Sequence, residues 1–305
     1  MMGGAINLTP FGSVFNGTGI LYWLLAVGAL WLAVKSPKGG RNKLLAVLFV
    51  SILFGYLPVS VEWREYQARS RLDASMALFA ERCKTAGEKI TRIVDNVDGV
   101  VWMKWREKYG TEDDADKWKL NDPYGRDCGA EGCIRQLLRI SEGREVAPAV
   151  AKRHSGGYRF VESVDPRDGR SYRYSAVLKP ISSNRHEYEL SVQATGFGGA
   201  DDSFIALERT SIPGVRARYG VKWDDISTPE DREHWIAGGS LKVIDLQTNE
   251  VMGQRIGYII DPGQGSAAGF RSPWGWAKAH APRCPAVQST TQEFAVRVIQ
   301  PTKGE

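Results

Sequence analysis

"GILYWLLAVGALWLAV–KSPKGGRNK–LLAVLFVSILFGYLPVSV", residues Gly19 to Val61, places a short basic stretch between two apolar runs without a single charged side chain. A helix needs about 20 apolar residues to cross a bilayer core of roughly 30 Å. The second run reaches nearly that length, and uncharged residues back to Phe11 can lengthen the first. A cleaved signal peptide carries positive charge ahead of its apolar core, but nothing before Lys35 is charged. A core helix of a soluble fold keeps some polar face, and neither run has one. The reading is two transmembrane helices, about 19–34 and 44–61, joined by a loop at 35–43.

Orientation follows from that loop. Basic residues of short loops stay on the cytoplasmic side, and the loop holds Lys35, Lys38, Arg41 and Lys43 while the N-terminal tail holds no charged side chain. This predicts an outward N-terminus, a cytoplasmic loop and an exported chain from residue 62 onward. Arg64, Arg69 and Arg71 oppose that orientation, although Glu62, Glu65 and Asp73 are mixed among them. Residues 62–305 are therefore expected on the far side of the membrane from the loop. Four of the net +5 charges lie in the loop, and residues 1–61 contain no acid, which leaves +1 for residues 62–305. A near-neutral domain with interspersed charges has no electrostatic footprint for nucleic acid.

Beyond the second run the period changes. Leu72, Met76, Phe79, Cys83, Ala86 and Ile90 recur at spacings of four and three, the stripe of an amphipathic helix; a short coiled-coil dimer is the rival reading of the same stripe. Residues 62–98 are therefore expected to form a juxtamembrane helix. Residues 99–305 read as a β-rich domain. Strict alternation marks strands at Tyr172–Leu178, Tyr188–Ala194, Val215–Trp223 and Phe294–Val298. Turn residues at Asp165–Gly169 and at Thr248–Asn249 predict two hairpins. "GCIRQLLRI" is a short helix, and "DISTPEDREHW" starts a helix capped by Ser227 or Thr228, with Pro229, Glu230 and Asp231 in its first turn. No alternation of strands and helices suggests a parallel sheet. The expected class is α+β, with a mainly antiparallel sheet.

The four cysteines are Cys83, Cys128, Cys133 and Cys284, all past the second apolar run. An even number in an oxidising compartment suits disulfides. Cys128 and Cys133 are close enough to pair locally, which leaves Cys83 for Cys284; four reduced thiols are the alternative. Zinc is disfavoured, because His154, His186, His234 and His280 are scattered and no second close pair of ligands exists. "DPGQGSAAGF" misses the dinucleotide fingerprint and reads as a flexible loop. Asp122 and Asp127 in "NDPYGRD" fit either a cation site or a turn. No nucleophile elbow or P-loop is present, so neither a cofactor nor a metal is expected. Trp274 and Trp276, in "RSPWGWAKAHAPRC", are candidates for a partner-binding surface, since Trp and Arg are enriched at binding hot spots; the opposing reading is that they fill the core.

"AERCKTAGEKITRIVDNVDGVVWMKWR" (Ala80–Arg106), "DDISTPEDREHWIAGGSLKVIDLQTNEVMGQRIGYIID" (Asp224–Asp261) and the closing Pro-Trp…Ala…Cys-Pro arrangement of Pro273–Pro285 resemble a group of proteobacterial inner-membrane proteins. Those have short membrane anchors and one exported domain, and are sometimes encoded beside type VI secretion toxins. The resemblance covers most of residues 78–286 and brings no catalytic motif with it. It implies an immunity protein that binds a toxin in the periplasm, with the lipid bilayer as its second partner. An envelope hydrolase using acids of the 111–131 loop and a structural subunit of an envelope complex are the alternatives.

Overall fold

The computed structural model describes residues 17–35, 39–106, 114–119, 123, 128–138, 157–180, 203–286 and 289–302. The chain divides into two compact units, residues 1–74 and 75–305.

The first unit is helical. Helix α1 is Gly17–Lys35, and α2 is Gly40–Cys83, a 44-residue helix. Of the two, α2 is long and apolar enough to cross a membrane, and its apolar window is not buried by the rest of the chain, as a core helix would be. The described apolar part of α1, Leu21–Lys35, is shorter. Pro58 lies inside α2. Proline has no N–H to donate four residues back, which frees the carbonyl of Phe54. The Tyr22 hydroxyl of α1 donates to that oxygen, and the Tyr22 and Phe54 rings lie 5.6 Å apart. Tyr22 and Phe54 stand at similar distances from the α1–α2 connection, so the bond joins two antiparallel helices at one depth. Lys35 caps the other end of α1 with its ammonium 4.3 Å from the Trp31 ring. Lys38 lies outside the described residues, while Arg41 and Lys43 fall in the first turn of α2 rather than in a loop.

The second unit is α+β, and nine of the eleven strands among its described residues form one mixed sheet. The strands are β1 (Gly87–Ile90), β2 (Val94–Val97), β3 (Gly99–Trp102), β4 (Phe160–Val164), β5 (Ser171–Pro180), β6 (Ser203–Ile212), β7 (Tyr219–Asp225), β8 (Ile236–Asp245), β9 (Glu250–Ile260), β10 (Arg283–Cys284) and β11 (Ile299–Pro301). The sheet order is β1-β9-β8-β7-β3-β4-β5-β6, with β10 also on β9, while β2 and β11 pair separately and in parallel. The hairpins β4–β5 and β8–β9 form where their turn residues sit. Gly169 and Asn249 adopt φ of 70° and 61°, and the Gly169 and Asn249 amides donate to the Asp165 and Asp245 carbonyls. The sheet is not antiparallel throughout. β3 runs parallel to both β4 and β7, and all four of its residues are buried, as central parallel strands require.

The structure departs from the sequence reading at further points. The helix expected over 62–98 ends at Cys83 and is continuous with the apolar span, while residues 87–90 and 94–97 are strands. Along its last turns Phe79 is buried and Leu72 and Cys83 are half-buried, as the stripe predicts, whereas Met76 is exposed and Ser75 is buried in its place. Phe294, Val296 and Val298 lie on a helix, α6 (Thr291–Val298), whose buried residues are Thr291, Phe294, Ala295 and Val298. That is helical spacing, and Thr290 with Glu293 forms a reciprocal capping box at its start. The segment 188–194 lies outside the described residues.

Helices α3 (Glu131–Leu137), α4 (Pro229–Glu233) and α5 (Pro273–His280) complete the unit. Thr228 caps α4 through a second capping box with Asp231. Positions 237, 241 and 243 of β8 share one sheet face, against which α3, α5 and α6 pack. Gly253 of β9 lets α6 approach, since a Cβ there would lie 2.7 Å from Val298. The opposite face receives the end of α2: Phe79 packs with Ile236, Tyr258 and Ile260.

Candidate functional site

The cysteines pair as Cys83–Cys284 and Cys128–Cys133, with Cα separations of 5.6 and 4.9 Å. The first bond joins the last residue of α2 to β10. Two other contacts hold the same helix end. Arg82 Nε donates to the buried Asp231 at 2.7 Å. Ser75 Oγ lies 2.8 Å from His234 Nδ1 and donates to Gln264 Oε1 at 3.2 Å. Its oxygen bridges the His234 ring and the Gln264 amide. Ser75 is also fully buried. The pair fastens the helix to the 261–271 loop and is not a catalytic dyad.

That loop is built around Asp261, which is completely buried. Its carboxylate accepts from the Gly263 and Gly265 amides at 3.0 and 2.9 Å and is paired with Arg271. Gly265 sits at φ +77°, and a Cβ there would lie 2.1 Å from the Trp235 ring. The glycines therefore wrap the backbone over a buried carboxylate, and the loop is neither a dinucleotide cradle nor loose. Its last turn presents Phe270, fully exposed and at φ 60°. A non-glycine residue held in this region carries backbone strain, and such positions cluster at functional sites.

The two tryptophans singled out in the sequence part company. They are two residues apart on α5, hence about 200° round the helix. Trp274 is fully buried against Ala237, Ile259 and Ala277. Its ring lies 5.3 Å from that of Trp235, and its indole N–H donates to the Asp116 carbonyl at 3.0 Å. It cannot meet a partner, and the reading of Trp274 as a surface residue is corrected accordingly. Trp276 is 36% exposed, with the Arg271 guanidinium 4.6 Å above its ring and His280 at 5.4 Å. A third exposed aromatic, Trp118, belongs to residues 114–119, which Lys278 to Asp114 at 2.8 Å ties to α5 and Lys117 to Glu233 ties to α4. Trp118 and Phe270 are thus exposed, and Trp276 is partly exposed beneath the Arg271 guanidinium, on segments fastened by ion pairs. Sequence reasoning missed Phe270 because nothing in "SAAGF" signals the positive φ that turns it outward.

No family model, curated protein or solved structure matches this chain. The described carboxylates whose pKa is displaced all shift downward. The Arg167 side chain, helped by Arg209, holds Asp165 at about 2. Arg218 and Arg92 hold Asp245 well below the usual carboxylate range. Burial pushes Glu162 up, but the Arg216 amide, Arg173 and the Ala217 amide bring it below its ordinary value. A general acid needs the opposite displacement, so these groups are structural ion pairs. Of the acidic 111–131 loop, Asp114 is held by Lys278 and Asp116 accepts from the Trp118 amide at 2.9 Å; Asp122 and Asp127 lie outside the described residues, as do His154 and His186. Among the described residues no group of three or more His, Cys, Asp or Glu side chains could hold a metal.

Proposed function

We propose that the chain is an inner-membrane-anchored periplasmic protein-binding module, acting as an immunity protein against a secreted toxin. The observation that carries the reading is the continuity of α2. One helix begins as an unburied apolar span and ends at Cys83, bonded to Cys284 in a domain with a second disulfide. Disulfides persist in oxidising compartments, which sets the domain opposite the basic 35–43 segment. The first apolar helix joins α2 as a membrane hairpin through Tyr22. A satisfied carbonyl at Phe54 supports this, because an orphaned one is costly in hydrocarbon.

The partner meets Trp118, Phe270, Arg271 and Trp276. Aromatic and arginine anchors dominate binding energy at protein interfaces, and the four sit on segments that lose little freedom on docking. Tethering raises the local concentration of the module beside the membrane, where an envelope-directed toxin acts. The test is co-expression with the periplasm-directed product of the adjacent gene. Protection that is lost on replacing Phe270 and Trp276 with Ala is expected; no protection and no complex would overturn the immunity reading.

A further inference from the structure

Where α2 leaves its apolar run, Tyr56, Val59, Ser60, Trp63 and Arg64 line an open groove of about 360 Å³. The spacing of four, three and one along the helix puts these residues on one stripe. Tyr56, Val59 and Trp63 are 68%, 68% and 60% exposed, and Trp63 stacks on the exposed Tyr66 at 6.1 Å. Aromatic rings concentrate where hydrocarbon meets headgroups, and the last apolar residue before the first acid is Val61.

The polar groups of this groove are donors. Ser60 has spent its proton on the Leu57 carbonyl at 2.9 Å, which leaves the Tyr56 hydroxyl, the Trp63 indole N–H and the Arg64 guanidinium. Glu65, the acid beside Arg64, is engaged by Arg69 at 3.3 Å. Glu62 points about 200° away round the helix. Arg64 itself makes no ion pair among the described residues. An unneutralised guanidinium flanked by two aromatic donors over a valine is complementary to one ligand chemistry, a phosphate attached to an acyl chain.

Resting on the membrane reading above, we infer that this groove seats the headgroup of an anionic phospholipid in the outer leaflet, with the phosphate on Arg64, Trp63 and Tyr56 and the acyl chain along Val59. The interaction fixes how deeply α2 enters the bilayer, because Arg64 cannot sink below the phosphate plane without losing its partner.

Full-length protein in nanodiscs tests the site. A brominated anionic phosphatidylglycerol or a brominated zwitterionic phosphatidylcholine is added at equal fraction, and the quenching of Trp63 is taken as the difference between the wild type and Trp63→Phe. One basic side chain near a headgroup plane is worth about 1 kcal/mol, or roughly fivefold local enrichment. Trp63 quenching is expected to be about that much stronger with the anionic lipid, to lose the preference in Arg64→Gln, and to resist competition by free glycerol phosphate. Equal quenching by both lipids, or a preference that survives Arg64→Gln, would overturn the site. Trp23 and Trp31 keep the two readings apart. If they are quenched while Trp63 shows no preference, the membrane reading stands and this inference falls; if no tryptophan is quenched by either lipid, both fall.

Discussion

Removing the Cys83–Cys284 bond should cost far more stability than removing Cys128–Cys133. In the chain-entropy account a disulfide stabilises by shortening the unfolded chain, and the effect grows with the logarithm of the loop it closes. The two bonds close loops with sequence separations of 201 and 5. At 25 °C the relation gives about 5 kcal/mol for the first and about 2 kcal/mol for the second, so the predicted difference is about 3 kcal/mol. The long bond is also the covalent member of a set that includes Phe79 on Ile236 and Tyr258, Arg82 on Asp231 and Ser75 on Gln264. Its loss should therefore loosen the end of α2 without unpacking the core that α3 and α6 form on the other face. The assay is guanidinium unfolding of the full-length protein in detergent, followed by tryptophan fluorescence, for Cys83→Ser with Cys284→Ser and for Cys128→Ser with Cys133→Ser. Equal losses in the two double variants, or a larger loss from the local pair, would refute the reasoning.

Other outcomes follow from single contacts. Trp274→Ala should lower stability by about 3–5 kcal/mol, as large-to-small changes in a packed core do, while Trp276→Ala, which removes a partly exposed ring and its cation–π contact with Arg271, should cost only about 1 kcal/mol; denaturant midpoints of the two variants decide this. Tyr22→Phe should cost about 0.6–2 kcal/mol of hairpin stability, and almost nothing when combined with Pro58→Ala, which restores an amide to the Phe54 carbonyl; thermal unfolding of the four proteins completes the cycle. Because Asp165, Asp245 and Glu162 all have depressed pKa values, the stability they contribute is complete above ordinary carboxylate values and is lost as the pH falls from about 4 toward 2. The midpoint should thus be flat in that contribution between pH 5 and 7, on the order of the ordinary range for carboxylates, and drop below pH about 4; a midpoint that rises on acidification would contradict it.

How much of this was legible in the sequence depends on whether a pattern had a competitor. The Asp165–Gly169 and Thr248–Asn249 turns and the Thr228 cap are local chemistry, and the hairpins and α4 form where those residues stand. Phe294, Val296 and Val298 fit a strand as well as a helix. The deciding signals were Ala295, which completes the helical spacing with Thr291, Phe294 and Val298, and the Thr290–Glu293 box. The end of the α2 stripe was set by tertiary packing: Ala86 and Ile90 keep the helical spacing, but β1 pairs residues 87–90 with β9, and that pairing overrides it. The parallel contacts of β3 join segments more than 50 residues apart, beyond the reach of any local pattern. At the surface, composition singled out the "PWGW" tryptophans but could not say which faced outward. The fold decides that, placing Trp274 over Ala237 and leaving Trp276 and Phe270 outside.

The central claim, that one helix links a membrane span to an exported, disulfide-bonded domain, is tested most directly by alkaline phosphatase fused after Glu305 in a bacterial host. The account predicts an active fusion. A stable, full-length fusion without activity would place the domain in the cytoplasm and contradict it.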